Sequence, residues 1–253
     1  NYMRETVIMN FSGVYAEEKF YEDKEYIWLD FEQVQGVNCY CTPESEEEIK
    51  RRICEYSPRG LHFLDSGNYH YLSKFWLEKI QEPCSLLVFD HHTDMQASAF
   101  FGLLSCGSWV REVLHANENI KKVCIVGPSQ KSFLECGEAD LGRIAAVSAE
   151  ELQEGKIEKL EGFLKDDPAL PLYLSIDKDI LSREDARTNW DQGEVRLTLL
   201  FSLLDLIFSH RKVIGADICG EDPQDTASLP KEEDLRVNEV TNKALWEYFQ
   251  KYF

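Results

Sequence analysis

Leu86-Leu87-Val88-Phe89-Asp90-His91-His92-Thr93-Asp94-Met95 is the stretch on which the reading of this chain turns. Four apolar residues in succession read as a strand buried on both faces, whereas the groups that follow do not belong in a core. If the extended backbone runs on past Phe89, Asp90, His92 and Asp94 point to one side, successive ones about 7 Å apart. Two carboxylates and an imidazole gathered there repel and desolvate one another unless a cation lies between them. A divalent metal is the economical account. The plainer alternative has Asp90 capping a turn with solvated histidines beside it.

Two further stretches favour the metal. Leu172-Tyr173-Leu174-Ser175-Ile176-Asp177-Lys178-Asp179 is again a short apolar strand that empties into alternating acids. Gly60-Leu61-His62-Phe63-Leu64-Asp65 is a strand followed by the turn Ser66-Gly67-Asn68-Tyr69 and by His70, at the mouth of a helix. Three strand ends therefore deliver His70, Asp90, His92, Asp94, Asp177 and Asp179.

In these segments the chain resembles the ureohydrolases (arginase, agmatinase, formimidoylglutamase). Their pattern of Gly-x-Asp-His, Asp-x-His-x-Asp and Ser-x-Asp-x-Asp reads here as Gly67-Asn68-Tyr69-His70, Asp90-His91-His92-Thr93-Asp94 and Ser175-Ile176-Asp177-Lys178-Asp179. Each segment alone is weak; the ordered set across residues 60 to 180 is specific. The resemblance implies two manganese ions per chain. One would take His70, Asp90, Asp94 and Asp177, and the other His92, Asp179 and the shared Asp90 and Asp177. It also implies a three-layer α/β/α fold.

The pattern departs from the family at the substrate. Where family members carry Asp-x-x-Glu on a late strand, with the Glu holding the guanidinium group, this chain has Asp217-Ile218-Cys219-Gly220-Glu221-Asp222. The acid falls one residue late, so Glu221, with Asp222 beside it, is expected to substitute in orienting a cationic substrate. The proton-shuttling His of arginases is also missing; Ser105-Cys106-Gly107-Ser108-Trp109 occupies that region. Beyond Asp179 runs a polar loop, Ser182 to Glu194, which in the resembled enzymes borders the substrate cleft. Asn189, Trp190 and Asp191 are its candidates for substrate contact.

Composition sets outer bounds. A length of 253 residues suits one α/β domain spanning 1–253, and 43% hydrophobic residues provide for a large core. Against 46 Asp and Glu stand only 27 Lys and Arg, a formal charge of −19. A field of that sign repels phosphate backbones and anionic membranes and favours cationic ligands, although acidity also serves solubility alone. Nucleic-acid and membrane partners are not expected. Eight cysteines occur without a C-x-x-C pair, and with no visible signal peptide they read as free thiols in a cytoplasmic protein. Cys39 and Cys41 would share a strand face and could hold a metal.

Around these segments, strands alternate with helical stretches, which argues for a mostly parallel sheet covered on both faces, with the site at the carboxyl ends of the strands. Strands are expected near 25–31, 123–127, 143–147 and 213–218. Helices are expected near 44–52, 71–80, 107–116, 155–167, 197–208 and 235–252, and Ser148-Ala149-Glu150-Glu151 is a capping box. Residues 1–24 show no clear period.

The expected chemistry is hydrolysis of a linear C–N bond in a guanidino or amidino compound. Two metals about 3.5–4 Å apart would ionise a shared water as nucleophile, and Asp94 or Asp179 would accept its remaining proton. Alternatives are a ureohydrolase acting on arginine within a peptide, a deacetylase-like amide hydrolase with one zinc held by two Asp and one His, and a metal-holding scaffold without turnover. Homo-oligomers are common among the resembled enzymes.

Overall fold

The computed structural model describes residues 4–98, 102–223 and 231–253. Ten strands occur among them: β1 (Glu5–Asn10), β2 (Ile27–Asp30), β3 (Tyr40–Cys41), β4 (Gly60–Phe63), β5 (Cys84–Phe89), β6 (Leu104–Ser105), β7 (Ile120–Val126), β8 (Ile144–Val147), β9 (Leu172–Asp177) and β10 (Val213–Cys219). Eight form one sheet in the order β2-β1-β4-β10-β9-β5-β7-β8, every pairing parallel. β3 and β6 pair separately and antiparallel.

The strands are continuous apolar runs because both faces of the sheet are covered, and alternate residues serve opposite layers. In β5, Leu86 and Val88 pack into one cluster, with Leu72, Phe75 and Trp76 of α2 (Leu72–Glu78) and Val110 and Val113 of α3 (Trp109–Ala116). Leu87 and Phe89 pack into the other, with residues of α7 (Glu158–Lys165), α8 (Leu197–His210) and α9 (Glu232–Phe249). The fold is therefore the expected three-layer α/β/α type. α1 (Pro43–Ile53) starts where Thr42 Oγ1 accepts from Ser45 N, and the capping box of Ser148 and Glu151 opens α6 (Ala149–Gln153). The short helices α4 (Gln130–Leu134) and α5 (Glu138–Leu141) follow β7.

In the eight-stranded sheet one strand was not foreseen, and the short β6 was not foreseen either. β1 lies within the first 24 residues, where Val7-Ile8-Met9 is too short an apolar run to show a period amid polar neighbours. It is stabilised by β2 on one side and β4 on the other. No described helix is long and apolar enough to cross a membrane.

What this topology does for the site is set four strand ends side by side. β4 and β5 follow one another in the chain but stand apart in the sheet, and β10 and β9 later fill the gap between them. Such a point, where the strand order reverses, opens a crevice beyond the carboxyl ends.

Candidate metal centre

Each candidate ligand is placed by a turn that closes directly after a strand. β5 stops at Phe89, so the extended run expected through Asp94 does not persist: His92 N donates to Asp90 Oδ1 at 2.6 Å, and Asp94 takes a left-handed conformation with φ 50°. That turn, not strand alternation, brings the three side chains together. After β9, Asp177 caps a 3-10 turn over Lys178–Ile180, its Oδ1 accepting from Asp179 N at 3.0 Å. After β4, Ser66 caps a second 3-10 turn, Gly67–Tyr69, which leads to His70. A Cβ on Gly67 would stand 2.9 Å from Asp177 Oδ2, so only glycine lets this turn pass so close.

The six residues converge. His70 Nδ1 lies 3.1 Å from Asp90 Oδ2, 3.0 Å from Asp94 Oδ2 and 3.6 Å from Asp177 Oδ2. His92 Nδ1 lies 3.4 Å from Asp90 Oδ1 and 2.8 Å from Asp179 Oδ2. Three sets of donor atoms result among the described residues: His70 with Asp90 and Asp94, Asp90 with His92 and Asp179, and His70 with Asp177 and Cys219; Asp90 stands in the first two. His70 Nδ1 and Asp90 Oδ2 are buried without a hydrogen-bond partner although they face each other. Buried polar atoms left in that state are costly unless a cation occupies the space between them.

The electrostatics point the same way. Burial, then the charge of Asp90, pushes Asp94 up to about 7. Burial, then Asp177 and Asp90, raises Asp179 well above the carboxylate range, and burial followed by Asp90 raises Asp177. Asp90 itself is held low: the bonds to His70 and His92 outweigh its desolvation. Four carboxylates thus repel one another in a dry site with two imidazoles to offset them. A carboxylate-rich donor set with two imidazoles fits hard or borderline divalent cations, manganese among them, so the residues present fit a pair of such ions.

Behind the donors stands a layer that the sequence did not disclose. His70 Nε2 is 2.8 Å from Ser175 Oγ, which donates to Asp217 Oδ1 at 2.6 Å. Trp109 Nε1 donates to Asp94 Oδ2 at 2.6 Å, and the Trp109 ring packs 4.7 Å from that of His70. His91 N donates to Asp179 Oδ1 at 2.9 Å, and His92 Nε2 lies 2.8 Å from Asp191 Oδ1. Cys219 Sγ donates to Asp177 Oδ2 at 3.2 Å. The strand alternation of Asp217 and Cys219 was a legible signal for the last strand; nothing in the sequence pointed to Trp109.

A cavity of about 380 Å³ opens over the centre, its wall including Asp90, His92, Asp94, Asp177, Asp179, Thr93, Gln96, Cys106, Glu135 and Trp190. Of the expected loop contacts, Trp190 lines it. Its Nε1 donates to Asn68 Oδ1 at 2.8 Å, while Asn189 Nδ2 donates to the same oxygen at 3.0 Å. Asn189 serves to pin the loop and does not reach the cavity wall, and Asp191 stands behind His92.

Glu221 is not where the sequence reading put it. Its side chain is fully buried, Oε1 accepting from Lys178 Nζ and, at 2.7 Å, from Asn242 Nδ2. Asp222, next to it, is also absent from the cavity wall. The physical reason lies at Gly220, where φ is 101° and a Cβ would meet Asp177 Oδ1 at 2.6 Å. That position faces the centre without a side chain, and the acid after it turns into the layer behind the sheet. Lys178, between two candidate ligands, points into that same layer, where its ammonium group meets Glu221 and Asn242. Cys39 and Cys41 do not cluster either: Cys41 is in the core, whereas Cys39 lies opposite Cys106, whose N donates to Cys39 O at 2.9 Å.

Comparison with known proteins gives consistent results. The family model described as Arginase family matches residues 62–228. A Thermotoga maritima protein described as uncharacterized is 32% identical over 233 residues, 91% of this chain and 86% of that protein. Among solved structures, the proclavaminate amidino hydrolase of Streptomyces clavuligerus superposes with a TM-score of 0.68 at 13% identity, covering 97% of this chain and 92% of that one. The formiminoglutamase of Trypanosoma cruzi with Mn2+ superposes with a TM-score of 0.64 at 13% identity, covering 97% and 94%.

Proposed function

The chain belongs to the arginase family, a family of hydrolases of carbon–nitrogen bonds, and from that premise we propose that it is a two-ion, manganese-dependent hydrolase of a linear C–N bond in a guanidino or amidino compound. The observation that carries this reading is the convergence of the six candidate ligands: five form two donor sets that share Asp90, and the sixth, Asp177, stands 3.6 Å from His70 Nδ1. Two sets favour a pair of ions over the single zinc of a deacetylase-like site.

Divalent ions held there supply Lewis acidity, which lowers the pKa of water toward neutrality and makes a nucleophile available without a strong base. The protein's own groups do the rest. Asp94 and Asp179 are the carboxylates we assign to holding the nucleophile's remaining proton. Trp109 and the His91 amide hold these two carboxylates in orientation by hydrogen bonds to Asp94 Oδ2 and Asp179 Oδ1. Trp190 and the pinned loop wall the cavity on one side and limit access of bulk water.

Recognition differs from the family's. With glycine at 220 and Glu221 turned away, the one carboxylate of the cavity wall among the described residues that is not a candidate ion ligand is Glu135. No Lys or Arg lines the cavity among the described residues, and the residues between 99–101 and between 224–230 include none in sequence. A substrate carboxylate would therefore be desolvated without a cationic partner, which is costly. The substrate we favour is cationic and free of a carboxylate, its distal end near Glu135. An arginine whose carboxylate is tied up in a peptide bond meets the same requirement and is the second reading. Eight free thiols suit a reducing, cytoplasmic setting.

The test is product release, urea or ammonia, from a panel of guanidino and amidino compounds with added Mn2+, with Asp177→Ala as the control. Turnover of carboxylate-free and peptidyl substrates above their free amino-acid counterparts supports the proposal. Two bound ions with no turnover of any member would leave a metal-holding scaffold, and a single zinc would favour amide hydrolysis.

A further inference from the structure

β10 ends on Cys219, and its register sets that residue directly beside Asp177 on β9. Side chains alternate along a strand, so Asp217 and Cys219 share the face of Ser175 and Asp177, the face on which His70 lies. Cys219 is fully buried in this position. Its Sγ, a ring nitrogen of His70 and an Asp177 carboxylate oxygen all lie within 4.8 Å of one another, and His70 Nδ1 stands 3.6 Å from Asp177 Oδ2. A buried cysteine beside a carboxylate is by itself an ordinary core residue with a weak S–H donor. The second observation is His70 Nδ1, which is buried, has no hydrogen-bond partner and is aimed into the same space.

We propose that Cys219 is a sulfur donor to the ion held by His70 and Asp177, a seventh ligand in addition to the six positions of the family pattern. The inference rests on the metal centre described above and concerns which atoms complete it. In the exchange the S–H bond breaks, a sulfur–metal bond forms, and the proton leaves to solvent, as expected when a thiol takes up a divalent cation. A soft donor in an otherwise hard set moves selectivity from manganese toward zinc and cobalt. The two ions are then inequivalent, because the set of His92, Asp90 and Asp179 has only oxygen and nitrogen donors. Cys219 is absent from the cavity wall, so its sulfur has no place as a nucleophile toward substrate.

The experiment uses the full chain, stripped with a chelator and reloaded with Co2+, and reads the electronic spectrum together with the number of bound ions. A sulfur-to-cobalt charge-transfer band in the near ultraviolet is expected in the unaltered protein. It should disappear in Cys219→Ser and Cys219→Ala while two ions remain bound, and persist in Cys39→Ser, Cys106→Ser and Cys136→Ser, which alter the three thiols of the cavity wall. In competition, the preference for Zn2+ over Mn2+ at the first site should fall about tenfold in Cys219→Ser. Two bound cobalt ions without the band, or a band unchanged by both Cys219 substitutions, overturns the inference and leaves Cys219 a structural thiol with the metal centre intact. Failure of the protein to bind either Co2+ or Mn2+ removes the centre itself, and the inference with it.

Discussion

Trp109 Nε1 donates a 2.6 Å hydrogen bond to Asp94 Oδ2, in the region where the family pattern led us to look for a proton-shuttling histidine. An indole donates and cannot accept, so the contact orients a carboxylate and relays no proton. Trp109→Phe keeps most of the buried volume and removes only this donor. We expect ion affinity at the first site to fall about tenfold or more, with two ions still bound at saturating Mn2+. Titration with Mn2+ followed by elemental analysis checks it.

The two ion sites should respond to different second-layer residues. Asp217 acts through Ser175 on His70, so Asp217→Asn should weaken the first site by about 10- to 100-fold. Asp191 acts on His92, but its side chain is 73% exposed. Solvent screens such a pair, and Asp191→Asn should weaken the second site by less. Calorimetric titration of the stripped protein, resolving two binding events, distinguishes the two effects.

Lys178 and Glu221 form a fully buried ion pair behind the centre, with Asn242 Oδ1 2.8 Å from the ammonium group. Lys178→Met strands a buried carboxylate and should cost about 3–5 kcal/mol. Adding Glu221→Leu should recover a large part of it, since an apolar pair of similar volume tolerates burial. Glu221→Gln should alter the urea midpoint and leave the KM of a guanidino substrate unchanged, because the side chain is outside the cavity wall. Denaturant titration and steady-state kinetics on the same three variants separate a structural from a substrate-binding role.

Among the eight thiols, Cys39 should react first. The hydrogen bond from Cys106, acting against burial, lowers its pKa to about 7, so its thiolate, the reactive form, grows in as pH rises through about 7. Burial pushes Cys41 and Cys84 up to about 12, which keeps them protonated over the same range. Cys106→Ala removes the donor, returning Cys39 toward about 8.5 and slowing its alkylation at pH 7 about tenfold. Peptide mapping after brief iodoacetamide treatment across pH 6–9 reads both effects.

Much of the molecule was determined by local sequence. Runs such as Leu86–Phe89, apolar at every position, and Leu172–Ile176, broken only by Ser175, are accommodated in a strand covered on both faces, and the acids and histidines directly after them announced a cation site. The alternation from strand to helix then implied a parallel sheet with that site at its carboxyl edge. What tertiary structure alone decided were the directions of side chains at the strand ends. Asp90, His92 and Asp94 meet through a turn and a left-handed residue, a geometry that alternation along an extended chain does not predict. Glu221 stands one residue from the family's position, yet the close approach of Gly220 to Asp177 sends it to the opposite layer, where Lys178 pairs with it. Trp109, Ser175, Asp217 and Cys219 reach the centre from elements separated in the chain, and no spacing within one segment encodes a contact made across strands. Such contacts depend on register and on which strands become neighbours, and both are set by packing of the whole sheet.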